Sequence, residues 1–167
     1  MSYAAPLRII HAMSYAQDSG AIATPIGCVR VEAMGDEIVA IRIGGEDAAA
    51  GSTTVAVALA QIEQWFARER QHFDLTLARA TSPRGAALRQ AICDIGFGET
   101  ASYGQLAKQS GSGSRAVGQA CARNPFPLVV PCHRVLAAGG TLGAYSAGEG
   151  PATKRWLLDF EGGGRLL

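Results

Sequence analysis

Ser102-Tyr103-Gly104-Gln105, Gly111-Ser112-Gly113-Ser114-Arg115 and Arg123-Asn124-Pro125 punctuate residues 102–125, the stretch that decides how the second half of this chain folds. Serine followed three residues later by glutamine is a capping box, in which hydroxyl and carboxamide each satisfy a backbone N–H at a helix start. The helix it opens is expected to run to about Ser110. Gly111-Ser112-Gly113 then makes a tight turn, and Ser114 is placed to cap a second helix over Arg115–Arg123. Asn124-Pro125 ends that helix, because the residue before proline is driven out of the helical region. Two short helices joined by a glycine turn form a helix-turn-helix, with Arg115 at the start of the second, where such motifs meet DNA. Ala116, Gly118 and Ala120 keep this helix thin. That suits close approach to another surface, and it suits packing against the first helix equally well.

Downstream, the apolar run Leu128-Val129-Val130 reads as β-like and leads into Pro131-Cys132-His133-Arg134-Val135. This puts a thiol at the mouth of a packed core with an imidazole beside it. A thiol attacks only as thiolate, and a nearby imidazole or positive dipole favours that form. Taken alone, the five residues fit an inert core cysteine just as well. Gly143-Ala144-Tyr145-Ser146 follows as a glycine-flanked loop offering a ring and a hydroxyl. Thr153–Phe160 is expected to form a final helix with Trp156, Leu157 and Phe160 inward. Glu161, at its end, opposes the helix dipole, so a partner such as a histidine is expected to hold it.

Upstream, Ser82-Pro83 is an N-cap with proline at the first helical position, and Leu88, Ile92 and Ile95 face one way. Gly96-Phe97-Gly98 breaks that helix. The texture before residue 80 is different. Ile26–Val31 and Ile38–Ile43 flank Met34-Gly35-Asp36 as a β-hairpin, and Leu7–Met13 is expected to add a third strand. Val55, Leu59, Ile62 and Phe66 recur with helical spacing, in a helix ending near Arg70, and Phe73, Leu75 and Leu77 alternate as a short strand. The expected fold is therefore α/β (α+β) with two domains. Residues 1–80 form a small scaffold of antiparallel sheet and helix. Residues 81–167 form a mainly helical, winged-helix-like domain carrying the helix-turn-helix and the Pro-Cys-His-Arg segment.

Composition narrows the chemistry. Of 167 residues, 48% are hydrophobic and 17% charged, which gives an ample core. No apolar run is long enough to cross a membrane, and the first eighteen residues carry no signal-like segment, so a reducing compartment is expected. The four cysteines (28, 93, 121, 132) contain no C-x-x-C pair, and His11 and His72 stand alone; no metal and no cofactor are expected. The net charge of +1 hides an asymmetry: residues 1–80 hold 6 Lys/Arg against 9 Asp/Glu, and residues 81–167 hold 9 against 5. Lys108, Arg115, Arg123 and Arg134 lie in a stretch with no acidic residue between Glu99 and Glu149. That is the outline of a footprint for a polyanion.

Together these motifs resemble the O6-alkylguanine-DNA alkyltransferases (methylated-DNA–protein-cysteine methyltransferases). The resemblance rests on Gly98–Tyr103, Ser114–Gly118, Arg123-Asn124-Pro125, Val130–Val135, Gly143–Ser146 and Lys154–Gly162. It implies a DNA repair protein that transfers an alkyl group from O6 of guanine, and from O4 of thymine, irreversibly to Cys132. On this resemblance His133 is the base, acting through a water, and Glu161 orients it. Tyr103 helps to turn the nucleotide and supports proton donation, and Asn124 is the polar hinge. Tyr145, Ser146, the Val135 backbone and Cys121 line the base pocket. Arg115 fills the vacated stack, with Ser114, Ala116, Gly118, Arg123 and Tyr103 also toward DNA. The implied partner is double-stranded DNA, bound through its minor groove with the damaged base flipped out, by a cytoplasmic monomer (nuclear in a eukaryote) with no membrane attachment. An alternative is an alkyltransferase-like protein that recognises damage without repairing it; such relatives lack the cysteine.

Overall fold

The hairpin expected around Met34-Gly35-Asp36 is the second half of a three-stranded antiparallel meander, β1 (Gln17–Thr24), β2 (Gly27–Met34) and β3 (Glu37–Ile43), in spatial order β1-β2-β3. The structure is a computed structural model and describes residues 17–162. The strand expected at Leu7–Met13, and His11 with it, lie outside the described residues. β1 went unanticipated because Gln17–Thr24 has little β-propensity; it pairs with β2 along its whole length, from Gln17 opposite Met34 to Thr24 opposite Gly27. One face of the sheet buries Val29, Val31, Ala33, Ile38 and Ile41.

α1 (Thr53–Phe66) covers that face, capped by Ser52, whose hydroxyl accepts from the Val55 N–H. Its buried side chains Val55, Ala58, Leu59, Ile62 and Trp65 follow the helical repeat. The helix stops at Phe66 and not near Arg70, because Arg68 turns into the left-handed region at φ 62°. Phe73–Leu77 forms no strand. It contributes a single bridge, Leu77 to Ile38, closed by two 2.8 Å backbone bonds on either side of Ile38.

α2 (Pro83–Cys93) begins as expected, with the Ser82 hydroxyl accepting from Gly85 N–H and proline in the first turn. The capping box at Ser102 and Gln105 is complete and opens α3 (Tyr103–Gln109). α4 (Ser114–Ala122) follows after the glycine turn. Its cap is Gly113, in extended conformation and without a side-chain bond, so Ser114 is already the first helical residue and does not cap. A two-stranded parallel ladder, β4 (Ala101–Ser102) with β5 (Val135–Leu136), ties the start of α3 to the segment after Cys132. α5 (Pro151–Gly162) closes the fold.

Residues 126–131 are turns and not the β-like run expected. The Asn124 side chain causes this: Oδ1 accepts from Phe126 N–H at 3.0 Å while Nδ2 donates to the Val130 carbonyl at 2.8 Å, folding the chain back. Leu128 takes φ 74° at the crest.

The N-terminal half buttresses α5. Trp65, fully buried, meets Phe66, Phe73, Phe97 and Phe160 at centroid separations of 4.9–6.4 Å. Arg68 lies over the Phe160 ring and donates to its carbonyl, satisfying one of the last helical acceptors. Phe160 thus points into the aromatic cluster, while the next residue, Glu161, is buried and meets the Cys132–Arg134 turn.

Candidate active site and nucleic-acid interface

Cys132, His133 and Arg134 form a single buried 3₁₀ turn between the Asn124-stapled loop and β5. Cys132 is 4% exposed, and its sulfur opens on a narrow cavity of about 120 Å³. The other walls are Tyr103 from α3, Gly118, Cys121 and Ala122 from α4, and Ala144, Tyr145 and Ser146 from the loop before α5. The helix-turn-helix therefore contributes one side of the cavity and the thiol turn contributes its floor.

The carboxylate partner expected for the imidazole is present. His133 Nε2 lies 2.8 Å from Glu161 Oε1, with both side chains essentially inaccessible to solvent. Arg134 binds the same carboxylate twice, Nε to Oε2 and Nη2 to Oε1, each at 2.8 Å. Gly98 N–H adds a 3.3 Å bond to Oε2. Gly98 has φ 77°, and a Cβ there would come within 3.3 Å of the Glu161 carbonyl oxygen, so the turn admits glycine best. Burial alone would raise the Glu161 carboxyl, but the bonds from His133 and Arg134 outweigh it and bring the group down to about 2.

His133 is lowered too, but for a different reason. Complete burial lowers its pKa, and the charges of Arg134 and Lys154 add to that, against the opposing pull of Glu161. Because Arg134 already balances the carboxylate, the ring is neutral near pH 7. Nε2 donating to Glu161 leaves Nδ1 as the basic nitrogen, and Nδ1 is buried without a protein partner among the described residues.

At rest, burial favours the protonated form of the Cys132 thiol over the thiolate that a nearby imidazole would favour. Burial pushes its pKa up; the Asn124 hydrogen bond and the charge of Lys154 draw it back only in part. Asn124 Nδ2 donates to Cys132 Sγ at 3.1 Å, so the residue that folds the loop also touches the sulfur. Cys121 is driven to about 12, first by burial and then by the neighbouring thiol, which makes it a poor competitor. Burial likewise raises the phenols of Tyr103 and Tyr145.

The remaining sequence candidates divide into those on the cavity and those off it. Ser146 is on its wall and donates to the Ala122 carbonyl at 3.3 Å, joining the loop to α4. Val135 is not on the wall: it is fully buried in β5, and its carbonyl accepts from Lys154. Ser114 and Arg115 are exposed at the start of α4. Ala116 packs on the core, as the helix-packing reading requires, whereas a Cβ on Gly118 would meet no atom within 4 Å. Arg123 lines a separate open groove of about 540 Å³ between α2 and α4. Arg134 is 5% exposed and committed to Glu161, so it cannot belong to the polyanion footprint assigned to it from charge alone.

Two groups at the site escaped the sequence reading: Arg134 as the clamp on Glu161, and Lys154, 1% exposed. The signal was available. Lys154, Leu157, Leu158 and Glu161 recur at helical spacing, which places a lysine and a glutamate on the buried face of α5.

The fold and this site have counterparts. Residues 85–163 match the family model described as the DNA-binding domain of 6-O-methylguanine DNA methyltransferase. A methylated-DNA–protein-cysteine methyltransferase of Bacillus subtilis, described as constitutive, is 35% identical over 83% of this chain and 91% of its own length. The chain belongs to the methylated-DNA–protein-cysteine methyltransferase family. A methyltransferase of the same description from Methanosarcina acetivorans is 42% identical over 61% of this chain, and the match spans 65% of that relative, just under two thirds. The crystal structure of Mycobacterium tuberculosis OGT in complex with DNA superposes with a TM-score of 0.74 at 33% identity, covering 86% of this chain and 92% of that one. Among the described residues of this methyltransferase-family chain, no helix is long and apolar enough to cross a membrane.

Proposed function

We propose that this protein repairs DNA by moving a methyl or larger alkyl group from O6 of guanine, and from O4 of thymine, onto Cys132, once per molecule. The observation that carries the reading is the Cys132 thiol lining an aromatic-walled cavity, beside a buried imidazole held by a carboxylate. His133 Nδ1 takes the thiol proton, relayed by a water, and Glu161 steadies the imidazolium that results. Sulfur attacks the alkyl carbon in line; the S–C bond forms as the C–O6 bond breaks, and the released electron pair returns to the base. Guanine takes up one proton, with Tyr103 supporting its delivery. The thioether formed has no good leaving group, so the protein ends alkylated.

An alkyl group on O6 is out of reach within a duplex, so the nucleotide rotates into the cavity at a cost of roughly a few kcal/mol. α4 enters the minor groove, where open space over Gly118 admits the backbone of DNA and Arg115 fills the gap in the stack. Phosphate contacts from Ser114 and Arg123 supply affinity without base preference. Tyr145, Ser146 and Cys121 hold the base. The protein acts as a monomer, in the cytoplasm or, in a eukaryote, the nucleus. The presence of a thiol at 132 favours transfer over damage recognition alone.

Intact-mass measurement after incubation with O6-benzylguanine tests this directly. One benzyl group is expected, mapped to Cys132 and absent in Cys132→Ser. Tight binding to alkylated DNA with no adduct would establish the recognition-only alternative instead.

A further inference from the structure

Lys154 is the one buried charge near the thiol that the reaction above leaves without a task. It lies 1% exposed on α5, and its Nζ donates to the Val135 carbonyl at 2.6 Å and to the Ala144 carbonyl at 3.5 Å. Both acceptors are neutral. Among the described residues the ion pairs are Arg42–Glu32 and Arg134–Glu161, with the neutral His133 bonded to the same Glu161, so no carboxylate balances this ammonium. A buried cation without a counter-ion is costly, and an anion formed beside it offsets that cost.

The groups around the site identify that anion. Tyr103 from α3, Cys121 from α4 and Tyr145 from the pocket loop are all held protonated by burial. Asn124 is a neutral amide, His133 is neutral, and the charge of Arg134 is spent on Glu161. Cys132 is the remaining acid, and its ionisation is part of the reaction.

We propose that Lys154 is a positioning residue that clamps the acceptor turn to the base-pocket loop and supplies the counter-charge for the Cys132 thiolate. Val135 lies three residues beyond the sulfur, and Ala144 forms the cavity wall beside it, so one ammonium fixes two sides of the pocket. A charge already in place when the anion forms stabilises it without reorganisation. The influence is mutual: Lys154 favours the ionised thiol, and the two thiols favour the protonated lysine against burial. The lysine gives up no proton during transfer; the thiol proton goes to His133, and the sulfur electron pair to the alkyl carbon.

This inference rests on Cys132 as the acceptor, and the experiment separates the two. Lys154→Met and Lys154→Arg are made in the full chain, and carboxamidomethylation of Cys132 by iodoacetamide is followed against pH by peptide mass mapping, without DNA. The methionine variant is expected to react about tenfold more slowly near pH 7, its profile moved to higher pH, while arginine stays within about threefold of the parent. A methionine variant with the parent profile, whatever its melting temperature, overturns the proposal. Should that variant not fold, the parent decides: with ¹⁵N-labelled lysine, a slowly exchanging ammonium signal must move when Cys132 is alkylated. A signal that is unmoved, or that of a neutral amine, overturns it. A benzyl adduct on another cysteine overturns the acceptor assignment and this proposal together.

Discussion

Arg134 grips Glu161 through two 2.8 Å hydrogen bonds across 27 residues of chain, and its third nitrogen, Nη1, donates to the Ile95 carbonyl. The pair joins the thiol turn, the last turn of α5 and the segment just after α2 at one point. A two-pronged guanidinium–carboxylate contact fixes orientation as well as distance. It therefore determines which way the Glu161 carboxylate faces His133, and it explains how a glutamate survives at a helix end where the dipole opposes it.

Replacing Arg134 with methionine keeps much of the volume and leaves Glu161 buried without its clamp. Breaking one partner of a buried pair costs about 3–5 kcal/mol. In a chain of this size that corresponds to a fall in melting temperature of roughly 10 °C or more by calorimetry. An unchanged melting temperature would mean that the carboxylate finds other support.

Acid should unfold the protein in two stages. A group held lower in the fold than in the unfolded chain contributes stability above its unfolded value and loses it as pH falls. His133, lowered by burial, begins to favour the unfolded chain once pH drops below about 6.5. Glu161, displaced from 4.5 to about 2, follows as pH falls through that interval, a contribution on the order of 3 kcal/mol. Urea midpoints measured from pH 8 to about pH 3 should decline in this order. The proposed alkyl transfer, in which a neutral imidazole takes the thiol proton, should persist somewhat below pH 6.5; a rate that halves at or above that value argues against a neutral His133.

Asn124→Ala removes a bond to the sulfur, a bond to the Val130 carbonyl and the acceptor for Phe126 N–H. Leaving buried backbone groups unsatisfied costs about 1–3 kcal/mol. The single-turnover rate with O6-benzylguanine should fall more than stability alone explains, because the thiolate loses a donor. Equal rates in parent and variant would confine Asn124 to a structural part.

Arg115 is exposed and forms no ion pair among the described residues. Arg115→Ala should leave the melting temperature and the reaction with free O6-benzylguanine unchanged, yet slow repair of alkylated duplex by about tenfold or more. Lys108→Ala, by contrast, should weaken duplex binding uniformly and reduce its salt dependence slightly. If Arg115→Ala also slows the free base, the arginine acts through the fold.

Much of this architecture is written in short-range signals. The Ser102–Gln105 capping box, Ser82-Pro83, the Gly35-Asp36 turn and the stop at Asn124-Pro125 each act within one helical turn or one hairpin. The cysteine, histidine and glutamate were likewise legible, through motif and through the awkward placement of Glu161. β1 was missed because its stability comes from pairing with β2 and not from its own residues. The apolar content of Leu128–Val130 suggests a β-like run, because it says nothing of the Asn124 side chain that folds it into turns.

The sequence by itself determined the capped helices, the hairpin turn and the helix-turn-helix, since these depend on neighbours a few positions apart. Only the tertiary structure decided which charges are spent and which remain. Arg134 and Arg115 are the same side chain to a sequence, yet one is buried against a carboxylate and the other faces water. Burial sets the cost of a charge, and burial is a property of what the rest of the chain packs around it.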